Sequence, residues 1–136
     1  MLLVKTYLDK SSIHGLGVFA DQFIRKETNI WRFVFGFDRY YSARTFAKLP
    51  KQAKDYLKRY GYRWGREILF SADHDSYMNH SEDPNTYLKN GYVIASRNIR
   101  KGEEITYDYR EFGDGFCAAF LKKPSHKPHK RPKAAR

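Results

Sequence analysis

A single cysteine, Cys117, in 136 residues excludes an intramolecular disulfide and any zinc cluster built from cysteines of this chain, and it fits a reducing compartment. No run of about 18 apolar residues occurs, so no membrane-spanning helix is expected. The opening Met1-Leu2-Leu3-Val4-Lys5 lacks the long apolar stretch and small-residue cleavage site of a secretory leader. Acidic residues are missing from one end: residues 122–136 carry seven Lys or Arg and no Asp or Glu, which leaves +4 of the net +11 to residues 1–121. Repeated Pro among like charges prevents a packed core there, so residues 122–136 are expected to be a disordered basic tail. The length leaves room for one domain, residues 1–121, with one active site.

What the chain does contain is bulky: 11 Tyr, 10 Phe and 2 Trp fill a modest hydrophobic complement with large side chains. Val4–Leu8 and Val18–Ile24 read as strands around a turn at Ser11–Gly17. The segment Val18–Ile30 matches Val93–Ile105 at six of thirteen positions. This predicts one local unit used twice: a strand, a turn at Arg-Lys and a further extended segment, each copy in a small sheet. Ser42 caps a predicted helix over Ala43–Tyr60, with Phe46, Leu49, Ala53, Tyr56, Leu57 and Tyr60 at spacings of three and four. Pro50 splits that helix in two. Asn90-Gly91, between Tyr87-Leu88-Lys89 and Tyr92-Val93-Ile94, takes the positive φ angles of a two-residue hairpin turn.

Several local motifs have weak standing. Gly15-Leu16-Gly17 with Ala20 satisfies a dinucleotide fingerprint, with Asp38 about twenty residues on. That fingerprint must open a helix, whereas residues 18–24 read as a strand. Asp73-His74-Asp75 begins like a calcium loop, but Tyr77, Met78 and Pro84 occupy required ligand or glycine positions. His14, His74 and His80 lack the helical spacing and the cysteine partners of a metal site, so no metal is expected. Asn79-His80-Ser81 is formally a glycosylation sequon, discounted without an export signal.

Asn79-His80-Ser81-Glu82-Asp83-Pro84-Asn85, read with Gly102-Glu103-Glu104-Ile105-Thr106-Tyr107-Asp108-Tyr109 and with Ser11–Ala20, resembles the SET domain family of protein-lysine methyltransferases. Three blocks match in the family's order over about residues 4–112, with residues 37–75 corresponding to its variable insert. The resemblance implies a mainly β fold with short helices, made of several small sheets and closed by a C-terminal pseudoknot. It implies S-adenosyl-L-methionine as cofactor, held by Gly15, Leu16 and Gly17 through their backbone, by the Asn79 side chain and by His80 chiefly through its backbone. Tyr109 matches the family's catalytic tyrosine. Tyr107 stands where a tyrosine hydroxyl limits methylation, which implies a monomethyl or dimethyl product. Two departures concern zinc: Glu82 replaces a cysteine found in many members, and Cys117 stands alone where a post-SET cluster would lie.

Tyr77, Tyr87, Phe112 and Phe116 are candidates for the substrate channel, because aromatic faces pack around a lysine stem. Phe112, Phe116 and Phe120, spaced by four, fit a short amphipathic helix closing that channel or simply docking on the core. A lysine-containing basic protein is the expected partner, drawn by Asp73, Asp75, Glu82, Asp83, Asp108, Glu111 and Asp114 near the motifs. The competing reading is a DNA-associated or substrate-binding module without turnover, its basic tail attaching to phosphates. The compact form resembles minimal bacterial or viral members, which places the protein in cytoplasm or nucleoid, or in a nucleus if it is eukaryotic or delivered to a host.

Overall fold

Strand-forming sequence in this chain comes in short pieces punctuated by turns, and the elements follow that punctuation. A computed structural model describes residues 1–64 and 66–111. Its strands are β1 (Thr6–Lys10), β2 (Leu16–Ala20), β3 (Asn29–Arg32), β4 (Arg39–Tyr41), β5 (Tyr62–Trp64), β6 (Glu67–Phe70), β7 (Asn79–His80), β8 (Thr86–Lys89), β9 (Tyr92–Ala95) and β10 (Glu104–Tyr107). Helices α1 (Ala43–Ala47) and α2 (Lys51–Tyr60) lie between β4 and β5, and single 3-10 turns cover His74–Tyr77 and Tyr109–Glu111. Three small sheets result, ordered β1-β2-β10-β7, β3-β9-β8 and β4-β6-β5, as the resemblance implies. Phe112, Phe116, Phe120 and the 122–136 tail lie outside the described residues.

The internal echo is a structural repeat. Its four matched apolar pairs, Val18/Val93, Ala20/Ala95, Ile24/Ile99 and Ile30/Ile105, are all buried in one core. The copies grip each other reciprocally: Ile24 and Ile99 exchange both backbone hydrogen bonds at 2.8 Å. Ala20 N donates to Glu103 O at 2.9 Å and its carbonyl accepts from Gly102 N at 2.7 Å; Ala95 N donates to Thr28 O at 2.9 Å and its carbonyl accepts from Glu27 N at 2.8 Å. β2 pairs with β10 as β3 pairs with β9. A local two-fold relation therefore crosses the two main sheets and sets β10 beside the glycine turn. Glu27 and Gly102, at equivalent positions, both have positive φ, 71° and 91°.

The predicted helix is split at Pro50. Ser42 Oγ accepts from Thr45 N at 3.1 Å to cap α1, and Pro50 caps α2, where its missing N–H costs nothing. Leu57 is the buried residue of α2, and Tyr56 and Tyr60 pack their rings on Phe70 and Tyr77. With β4, β5 and β6, the insert builds a sheet of its own. Asn90 and Gly91 turn the β8–β9 hairpin at φ 51° and 83°. The strand predicted over Val18–Ile24 ends at Ala20, and Ile24 makes an isolated bridge to Ile99 instead.

Candidate active site

The glycine turn is built by its own side chains. Ser11 Oγ accepts from Ile13 N at 2.9 Å and His14 N at 3.2 Å, while Ser11 N donates to Gly15 O at 2.7 Å. Gly15 sits at φ 50°, a conformation unfavourable to residues with a Cβ. Gly17 is required for space: a Cβ there would lie 2.1 Å from Glu104 Oε1. Glu104 Oε2 accepts from Ser11 Oγ at 2.8 Å, and Glu104 Oε1 accepts from Asn79 Nδ2 at 2.9 Å. The same Asn79 nitrogen donates to His14 O at 2.9 Å and Leu16 O at 3.0 Å. Asn79, 2% exposed, thus fastens the glycine turn to β10, and the first and second motifs meet through its amide.

Asn85 holds β10 from the other side. Its Nδ2 donates to Glu104 O at 2.8 Å and its Oδ1 accepts from Thr106 N at 2.9 Å, so one carboxamide satisfies strand groups that a neighbouring strand would otherwise pair. Thr86 Oγ1 donates to Thr106 O at 2.7 Å and Ser81 N to Tyr107 O at 3.1 Å. The segment 79–86 consequently wraps the strand that ends at Tyr107.

Tyr107 and Tyr109 follow directly. Their rings lie 5.0 Å apart and Tyr109 faces the His80 ring at 5.1 Å. His80 Nδ1 accepts from Tyr109 N at 3.0 Å, which assigns the proton of the neutral ring to Nε2, directed at Glu82 Oε1 3.2 Å away. Asp108 Oδ1, 3.6 Å from the same Nδ1, is beyond hydrogen-bond range. The His80 side chain therefore anchors the segment that begins at Tyr109. Tyr109 Oη donates to Met78 O at 3.1 Å, so its oxygen presents lone pairs in other directions.

Two residues complete the cluster: Tyr62, which sequence reasoning did not single out, and Asp75, which it counted only among the acidic residues near the motifs. Tyr62 of β5 places its hydroxyl 3.0 Å from that of Tyr107 and donates to Asp75 Oδ2 at 3.0 Å. All three side chains are buried. Burial, then the Asp75 charge, raises the Tyr62 phenol well above its ordinary range; burial, then Tyr62, does the same for Tyr107. Tyr62 is one tyrosine of eleven, in the variable insert. The nearest sequence clue is the acidic residue in the otherwise rejected Asp73-His74-Asp75 motif.

That motif has ordinary structural duties as well. Asp73 caps the 74–77 turn through Asp75 N and accepts from Leu2 N at 2.7 Å, and His74 bonds Thr6. Asp38, buried, accepts from Val34 N at 2.8 Å and Ala72 N at 3.0 Å. Among the channel candidates, Tyr77 packs on the core and on Tyr60, while Tyr87 engages another neighbour, donating its hydroxyl to Glu27. The acidity counted from sequence is partly spent internally: Arg110 pairs with Asp108 at 2.8 Å and Glu82 at 2.9 Å.

The SET domain model matches residues 15–110, which contain all of these contacts except those that reach residues before Gly15. The chain belongs to the SET domain family. The SET domain is 32% identical over 116 residues to human histone-lysine N-methyltransferase 2D, covering 76% of this chain and 2% of that protein. A crystal structure from Plasmodium falciparum shares 27% identity over 79% of this chain and 95% of the other, with TM-score 0.53. The Chaetomium thermophilum Polycomb Repressive Complex 2 shares the fold at 20% identity, 78% of this chain, 15% of that one and TM-score 0.57. The chain thus spans only a small part of the sequence relatives it matches. Among the described residues no helix is long and apolar enough to cross a membrane.

Proposed function

We propose that this SET domain transfers a methyl group from S-adenosylmethionine to a lysine side chain of a basic, histone-like protein. The observation that carries the proposal is the joining of three motifs at one place: Asn79 ties the glycine turn to β10, and β10 delivers Tyr107 and Tyr109 against Asp75, Tyr62 and His80. The cofactor supplies an electrophilic methyl on a positive sulfonium. The residues present fit such a group. Gly15 and Leu16 are exposed, Leu16 at 38%, Gly17 is buried against Glu104, and the Tyr109 hydroxyl, its proton committed to Met78 O, can meet a cation only through its oxygen lone pairs.

The amine must be neutral to attack, and free lysine has a pKa of about 10.4. Desolvation among aromatic rings and a neighbouring positive charge both lower it. With the cofactor bound, the glycine turn and Asn79 would hold it, and it would supply its methyl group to the amine lone pair, the surplus amine proton leaving to water. Buried tyrosines with raised pKa values stay neutral throughout and serve as fixed hydrogen-bonding groups. The histone-like substrate is supported by the human relative's name, and the basic tail favours a DNA-associated location in nucleoid or nucleus.

The test is transfer of labelled methyl from S-adenosylmethionine to histones, DNA-packing proteins and the chain itself. Wild type should label one of them and Tyr109→Phe should fall to background while still binding the cofactor. Cofactor binding without labelling of any substrate by wild type would favour a non-catalytic binding module.

A further inference from the structure

We infer that Asp75 is a positioning residue that fixes the hydroxyl directions of Tyr62 and Tyr107, and thereby limits how many methyl groups the site adds; this rests on the methyltransferase reading above. A carboxylate buried at 1% exposure is costly unless its hydrogen bonds repay desolvation. Asp75 stands in the short 3-10 turn His74–Tyr77, held by Asp75 N on Asp73 Oδ1 at 3.2 Å and by Met78 N on its own carbonyl at 2.9 Å. Its position is therefore set by backbone, and Tyr62 Oη comes to it at 3.0 Å.

Donor arithmetic gives the consequence. An ionised carboxylate only accepts, and a phenol has one proton. The Tyr62 proton goes to Asp75, so in the 3.0 Å contact between the two hydroxyls Tyr107 is the donor. Whatever else these oxygens meet, they meet it as acceptors. An amine arriving beside Tyr109, whose ring touches Tyr107, can give N–H bonds to the pair but cannot receive one. Its lone pair is left for the methyl group. A hydroxyl able to rotate and donate would instead cap that lone pair.

The same rule opposes repeated transfer. Each added methyl replaces an N–H with a group that cannot donate to the acceptor pair, so orientation worsens with every round. A side chain without an acceptor at position 75 would release the Tyr62 proton and, through it, that of Tyr107. The hydroxyls could then rotate or take up water, and the preference for the unmethylated amine would relax.

The experiment compares wild type, Asp75→Ala, Tyr62→Phe and the double variant on the labelled substrate, reading kcat, KM and the mono-, di- and trimethyl ratio by mass spectrometry, with thermal melts alongside. Asp75→Ala, which leaves Tyr62 no acceptor at this position, should lower kcat for the first transfer about tenfold, leave KM within about twofold and shift product toward higher methylation. In the Tyr62→Phe background it should add little, because the effect runs through that hydroxyl. A lowered melting temperature with unchanged kcat and product ratio, or full additivity with Tyr62→Phe, overturns the inference and leaves the methyltransferase reading standing. Absence of methyl transfer by wild type removes both. If Asp75→Ala does not fold, Asp75→Leu, close in volume and without an acceptor, takes its place with the same expected product shift.

Discussion

Asn79 illustrates how much of the site depends on single polar groups. Its amide meets Glu104, His14 and Leu16, so Asn79→Ala removes the buried donor that joins the glycine turn to β10. The expected cost is about 1–3 kcal/mol of stability with weakened cofactor binding, read by denaturant melts and calorimetric titration. An unchanged melt would show that the turn holds without it. Tyr62 and Tyr107 allow a pH prediction. Their folded pKa values are raised above the unfolded value near 10, so their contribution is fully present below about pH 10 and is lost as pH rises through the folded values. The melting temperature should stay level with respect to these groups up to about pH 10 and fall beyond it. Tyrosinate absorbance should show the two ionising only with unfolding; reversible ionisation in the native state would contradict their burial.

Elements in this domain are stabilised by what crosses between them. The two repeat copies, each too short to bury its own apolar side chains, bury them together around Ile24 and Ile99. Gly102 turns the second copy at φ 91°, with only Tyr7 Oη, 4.0 Å away, near a would-be Cβ. Gly102→Ala should therefore lose about 1 kcal/mol from backbone conformation alone, and Gly102→Asn less. The check is a denaturant midpoint that moves with unchanged slope. The equivalent Glu27 sustains φ 71°, and it accepts the Tyr87 hydroxyl from that position.

Charge is segregated across the whole molecule. Residues 39–66 carry nine Lys or Arg against Asp55 alone, a net +8, whereas residues 67–121 carry five against ten acidic residues, a net −5. Lys51, Lys54 and Lys58 recur at helical spacing along α2, although Lys51 is paired with Asp55 at 2.5 Å. Deleting residues 122–136 should weaken retention on duplex DNA and flatten its salt dependence, while methylation of a free peptide persists. Lys54→Glu with Lys58→Glu should flatten it further, by roughly 0.9 in logarithmic slope for each phosphate no longer neutralised. The measurement is fluorescence anisotropy across a salt series; an unaltered slope after both changes would remove nucleic acid from the account.

The family, the hairpin at Asn90-Gly91, the helix broken at Pro50 and the repeat at residues 18–30 and 93–105 were legible in the sequence, because turn chemistry, helix capping and apolar spacing are local. Tyr107, Tyr109, Asn79 and the glycine turn were legible through their motif. Tyr62 and Asp75 were not: each belongs to a segment whose local pattern serves another purpose, one a strand of the variable insert and the other a capped 3-10 turn. Only the packing of β5 against that turn and β10 lines up a carboxylate and two phenols in a chain of 3.0 Å hydrogen bonds. Hydrogen-bond direction, and with it the chemistry of the pair, comes from burial and proximity across 45 residues of chain, which no local spacing encodes.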